Sequence, residues 1–198
     1  MREPSSFFTP KRLGVIAAAT LLSVGLSGCA GLVVAGVAGG VAVAQDRRAT
    51  SVVWNDQEIE RRVAERIRAR YGTDTHVNIT SFNRAVLLSG EVPDDATRAE
   101  VERMARETQD VRKVHNETKV ALPSTLSARA SDTALTARIK ARMVEANKFS
   151  PLHVKVVSER GSVFLLGLVK VQEGRDAAEV VSRTQGVDNV VTLFEYIE

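Results

Sequence analysis

One cysteine, Cys29, is the only thiol in the chain. Without a second cysteine no internal disulfide can form, so the thiol is available for modification, in the setting Ser27-Gly28-Cys29-Ala30. The histidines are His76, His115 and His153. His76 and His153 occupy equivalent positions in two copies of a repeat, and no cluster has the spacing of zinc ligands, so no metal is expected. No nucleophile elbow or glycine-rich phosphate loop occurs. Asp94 and Asp95 are adjacent, so their side chains diverge, and they read as helix-start residues favoured by the dipole. Neither a cofactor, nor catalysis, nor a small-molecule substrate is expected. What remains is charge. Residues 133–148 carry Arg138, Lys140, Arg142 and Lys148 against Glu145 alone, a net +3, whereas residues 56–70 carry five arginines against four acids, a net +1. A basic amphipathic helix can lie on an anionic bilayer, each basic residue near the headgroups being worth ~1 kcal/mol. Phe149, just past the segment, would add apolar contact. The alternative is an ordinary solvated helix with its apolar stripe in a core.

The elements that must carry these residues are repeated. Val86-Leu87-Leu88-Ser89-Gly90-Glu91-Val92 aligns with Val163-Phe164-Leu165-Leu166-Gly167-Leu168-Val169 at an offset of 77, which also pairs His76-Val77-Asn78-Ile79 with His153-Val154-Lys155-Val156. An offset of 76 maps Ile59, Val63 and Ile67 onto Leu135, Ile139 and Met143, and Val111 and Val114 onto Val187 and Val190. Apolar residues every four positions predict a helix over 56–70, with Asn55 and Glu58 as a capping box and Gly72 at its end. Alternation at Val77, Ile79 and Ser81, and at Val86, Leu88 and Gly90, around Asn83-Arg84, predicts a hairpin. Pro93-Asp94-Asp95 opens a second helix, and Val114 to Val120 alternates as a third strand. The second copy gives helices at 133–147 and 172–184 and strands at 153–159, 162–169 and 188–197. The fold class is therefore α+β, in two tandem α-β-β-α-β units. Gly90 and Gly167, at the end of each second strand, mark either a close ligand approach or a bulge and tight packing. Trp54 reads as a packing staple or a membrane-facing tether residue.

Composition agrees. The 198 residues are 44% hydrophobic, 26% charged and 5% aromatic, so the core must be aliphatic. The formal net charge is +3, but Arg2, Lys11 and Arg12 against Glu3 supply +2 of it, leaving about +1 from Cys29 onward. A whole-protein field attracting nucleic acid is not indicated. Leu13 to Leu26 is an uncharged apolar run of 14 residues, the length of a signal-peptide core and too short to span ~30 Å of hydrocarbon. The competing reading is an uncleaved membrane helix, since the uncharged run continues to Gln45 with Gly36 and Gly40 as a GxxxG.

Leu26-Ser27-Gly28-Cys29 resembles the lipobox of bacterial lipoproteins. That resemblance implies cleavage before Cys29, acylation of Cys29 (palmitate among the chains) and, with Ala30 rather than an acid following, an outer-membrane anchor facing the periplasm. The α-β-β-α-β unit with the strand pattern VxLxG, shown best by Gly161 to Val169, Ala177-Ala178 and Gly186-Val187, resembles the BON domain. The family implies a three-stranded mixed sheet with two helices on one face, phospholipid binding and a part in envelope integrity. The expected organisation is a signal peptide at 1–28, a lipidated tether at 29–55, BON domains at 56–122 and 132–198, and a linker at 123–131. Anionic phospholipid is the expected partner of the second domain. The competing reading is a periplasmic module that docks envelope assembly or peptidoglycan-associated proteins. In relatives a large aromatic residue is expected near the start of the basic helix, where this chain has Ala134.

Overall fold

The computed structural model describes residues 46–198. The leader, Cys29 and the Gly/Ala-rich stretch lie outside the described residues. Helix α1 runs Thr50–Tyr71. Its four-residue stripe of Ile59, Val63 and Ile67 is buried, and Gly72 ends it at φ +57 with its N–H on the Arg68 carbonyl. The expected capping box does not form. The helix starts earlier, behind Ala49, and Glu58 gives its carboxylate to Arg61 and Arg62 instead. Strands β1 (His76–Phe82) and β2 (Ala85–Val92) form an antiparallel hairpin. Its turn residues Asn83 and Arg84 both have positive φ, as a type I′ turn requires. Helix α2 (Asp95–Arg106) is capped by Asp94, which accepts the Thr97 N–H at 2.6 Å. The expected third strand is split into β3 (Lys113–Asn116) and β4 (Lys119–Val120), both parallel to β2. The break falls where the Asn116 side chain accepts the N–H and hydroxyl of Thr118.

The second copy repeats this order. Helix α3 (Leu126–Ala146) is followed by a 3-10 turn (Pro151–His153), β5 (Val154–Glu159), β6 (Ser162–Lys170), α4 (Val171–Ser182) and β7 (Asn189–Ile197). β6 pairs antiparallel with β5 and parallel with β7. α3 begins at Leu126, inside the stretch expected to be linker, because Thr125 caps the Ala128 N–H at 3.2 Å. Gly90 and Gly167 sit in matching places, opposite Val77 and Val154. A Cβ on Gly90 would lie 2.1 Å from the His76 carbonyl oxygen, and one on Gly167 would lie 2.4 Å from that of His153. Both glycines therefore serve a tight approach of two backbones, which is the packing alternative.

Each helix pair buries its stripe on one face of its own sheet. In the first copy Ile59, Val63 and Ile67 pack with Val86, Leu88, Val92, Val101, Met104 and Ala105. In the second, Leu135, Ile139 and Met143 pack with Val163, Leu165, Val169, Ala177 and Val181. The opposite faces of the two sheets meet each other through Phe82, Leu87, Phe164 and Leu166. Every residue of β2 is consequently buried: Val86 and Leu88 point to their own core and Leu87 points across to the other sheet, as strands covered on both faces do. Polar links edge this contact: Asn78 to Glu159 (2.8 Å), Asn83 to Glu195 (2.9 Å), Lys155 to Glu60 (2.9 Å), and Arg112 to Glu195. Among the described residues no helix is long and apolar enough to cross a membrane.

Candidate functional site

The charge-bearing helix of the sequence reading is α3. Ile139 and Met143 face the core at 0% exposure, which places Arg138, Lys140 and Arg142 at the solvent-exposed surface. Among the described residues, Arg138 donates to the Gln185 carbonyl (2.9 Å) and has no carboxylate partner, Lys140 has no acidic partner, and Arg142 reaches only Glu145, at 3.4 Å. Side chains repeat every 3.6 residues on a helix, so Leu126, Ala130, Ala137, Ala141 and Val144 share one outward face, all of them exposed, with the exposed Thr133 between Ala130 and Ala137 turning its hydroxyl back to the Arg129 carbonyl (3.0 Å). Arg138 and Arg142 flank it on one side and Lys140 on the other. α3 thus has two apolar sides, one in the core and one in solvent. The outward one is edged by unneutralised cations.

Two candidates leave this surface. Lys148 lies past the helix end and pairs with Glu179 (3.2 Å) and Asp176 (3.9 Å) on α4. Phe149 corrects the expectation of an apolar headgroup contact: Asn147 ends α3 at φ 49, the chain turns inward, and Phe149 joins the core at 9% exposure. The exposed apolar residues near this end of α3 are instead Val144 (66%) and Leu152 (48%), and at its other end Leu122 (85%) and Leu126 (82%). Trp54 is 68% exposed on α1, so it is not a packing staple.

The BON-domain pattern matches residues 55–121 and 131–198. The chain belongs to the BON-domain family. It is 32% identical over 190 residues to outer membrane lipoprotein DolP of Haemophilus influenzae, covering 95% of this chain and 97% of that one. It is 26% identical to the 21 kDa hemolysin of Actinobacillus pleuropneumoniae, over 77% of this chain and 80% of that one. Osmotically-inducible protein Y of Escherichia coli is 31% identical over 60% of this chain and 59% of its own.

The seam between the two BON domains holds polar residues that sequence reasoning missed. Glu91, 1% exposed, accepts from the Ser124 N–H (3.0 Å) and bonds His76 Nδ1 (2.9 Å), while Arg160 Nε of the second domain lies 2.7 Å from its other oxygen. Burial raises the Glu91 pKa, but these donors and cations outweigh it and hold the group below its ordinary value. Glu159, facing it across the seam, is driven up by burial; the Asn78 amide offsets part of this, and the charges of Glu91 and Asp132 push it further up. A third buried acid, Asp56, ties α1 to the first hairpin. It accepts from Ser81 Oγ (2.7 Å), Asn83 N (2.8 Å), Arg84 N (2.7 Å) and Arg48 (2.7 Å), and Arg48 in turn stacks on Phe82. The only sequence hint of these roles was an acid on the buried side of a helix and another inside an apolar strand.

Proposed function

We propose that this BON protein is an outer-membrane lipoprotein, anchored through acylated Cys29 and facing the periplasm, whose second domain binds anionic phospholipid along α3 in support of envelope integrity. The observation that carries the reading is the exposed face of α3: a stripe of Leu126, Ala130, Ala137, Ala141 and Val144, bordered by Arg138, Lys140 and Arg142 with no close carboxylate except Glu145. Small side chains let a helix backbone lie near the headgroups, and the flanking cations meet lipid phosphates. The anchor follows from the lipobox-like Leu26-Ser27-Gly28-Cys29 and from likeness to a relative described as an outer membrane lipoprotein. No part of the reading requires catalysis.

The test is cosedimentation of a leaderless Cys29→Ser form with anionic and neutral vesicles. Binding to the anionic vesicles alone, weakened by salt and by Arg138→Glu with Arg142→Glu, is the expected result. The control is Arg68→Glu with Arg70→Glu on α1, and because Arg138 donates to the Gln185 carbonyl, circular dichroism checks that both double variants stay folded. Failure of the wild type to bind any anionic vesicle transfers the reading to a protein-docking module. Mass spectrometry of the native protein tests the anchor; an intact leader would refute it.

A further inference from the structure

We propose that the seam between the BON domains is a divalent-cation site, with His76 and Glu91 of the first domain and Glu159 of the second as ligands. One donor atom from each lies within 4.8 Å of the other two, a spread that small side-chain movements can close onto one ion. The donor set is an imidazole and two carboxylates, which suits zinc or another borderline first-row ion better than calcium or magnesium. Three protein ligands leave a fourth position for water. A cleft of about 280 Å³ lined by His76, Asn78, Asp132 and Glu159 supplies the entry path.

The charge balance of the seam points the same way. Two carboxylates, Glu91 at 1% and Glu159 at 8% exposure, face each other between packed domains. Burying two like charges together is costly without a counter-charge. Glu159 has the neutral Asn78 amide as its hydrogen-bond donor. Glu91 Oε1 is buried without an aligned hydrogen bond; its counter-charge is Arg160 Nε at 2.7 Å, on a side chain that is 43% exposed and otherwise bonds only the Leu122 carbonyl, at 3.3 Å. Arg160 is thus the cation with which a metal ion would compete for Glu91. A bound dication would neutralise both carboxylates at once and, having ligands from both domains, would lock them together.

Isothermal titration of the full mature protein in detergent, stripped with chelator and free of any histidine tag, tests this with Zn²⁺, and with Mg²⁺ for comparison. One equivalent of Zn²⁺ should bind, Mg²⁺ should bind far more weakly, and Zn²⁺ should raise the Tm because it binds only the folded state. His76→Gln and Glu159→Gln should each weaken Zn²⁺ at least tenfold. Arg160→Gln, which removes the competing guanidinium, should strengthen it. A Co²⁺-loaded sample should show the visible absorption of a four-coordinate site, lost in Glu159→Gln; this signature would not move if Glu159 only braced the seam. Circular dichroism checks that each variant is folded. Absence of Zn²⁺ binding, or binding that survives Glu159→Gln but is lost in His115→Gln or His153→Gln, would overturn the proposal.

Discussion

Helices α1 and α3 are equivalent elements with equivalent buried stripes, yet their outer faces are opposites. At the offset of 76, Trp54, Arg61, Glu65 and Arg68 of α1 correspond to Ala130, Ala137, Ala141 and Val144 of α3. Arg62 and Arg66 correspond to Arg138 and Arg142, but the first pair is held by Glu58 and Glu107 while the second has only Glu145, three residues beyond Arg142. α1 neutralises its own cations, as Arg61 does between Glu58 and Glu65, and a self-neutralised face has little to offer an anionic surface. α3 carries only Asp132 and Glu145 as acids, and has alanines where α1 has Arg61 and Glu65. A repeat can therefore keep one core and use the solvent face of a single helix to divide labour between its copies.

The largest expected effect probes a difference beneath these faces. Asp56 is buried and bonds four groups, whereas its counterpart Asp132 is half-buried without such a network. Asp56→Ala leaves the Ser81 hydroxyl and the Asn83 and Arg84 amides without their acceptor, while Arg48 keeps Asp46, and should cost about 3–5 kcal/mol at about 1–3 kcal/mol for each buried donor stranded; Asp132→Ala should cost under about 0.5 kcal/mol. Urea denaturation of both variants checks this, and equal losses would mean the copies are braced alike. Next comes the double reversal Arg138→Glu with Arg142→Glu. At ~1 kcal/mol per charge near an anionic bilayer, a swing of four charges corresponds to about 4 kcal/mol, on the order of a thousandfold in vesicle affinity at low salt. Arg68→Glu with Arg70→Glu should change it little. A smaller effect tests the apolar stripe: Ala141→Glu, which restores the residue type of α1, should weaken vesicle binding about fivefold with no change in Tm, and Glu65→Ala in α1 should confer no binding.

The smallest effect lies at the caps of the second helices. Asp94 caps α2 through the Thr97 N–H, but α4 relies on Glu173, which accepts the Lys170 N–H and pairs with Arg47 at 2.5 Å. The Arg47 guanidinium holds the Glu173 carboxyl down to about 2, against the opposing pull of burial. A folded-state pKa below the unfolded one stabilises above the unfolded value and loses that contribution as pH falls. Stability should therefore decline between about pH 4.5 and pH 2. Arg47→Gln should flatten that part of the Tm profile by a degree or two, the pair being partly exposed.

Much of this architecture was legible, because a four-residue apolar period and strand alternation are imposed by burial on one face. Element starts were less so. Residues 126–131 are helical but pack little apolar surface, so they leave no stripe to read, and α1 likewise extends back to Thr50 ahead of its first buried apolar residue, Ile59. The cations Arg138, Lys140 and Arg142 were visible as a charge excess. Phe149 was misplaced because the left-handed turn at Asn147 cannot be inferred from a linear pattern. The seam was hidden for a different reason: His76, Glu91 and Glu159 meet only when the sheets do. A trace of that meeting stood in the sequence, since Leu87, Phe164 and Leu166 make the second strands apolar on both faces.

The contact between the sheets has a bearing on how the proposed bilayer contact of α3 reaches the rest of the molecule. Phe82 and Leu87 of the first domain share one apolar layer with Phe164 and Leu166 of the second. A pull on α3 would thus be handed from one domain to the other through side chains that neither can expose without cost.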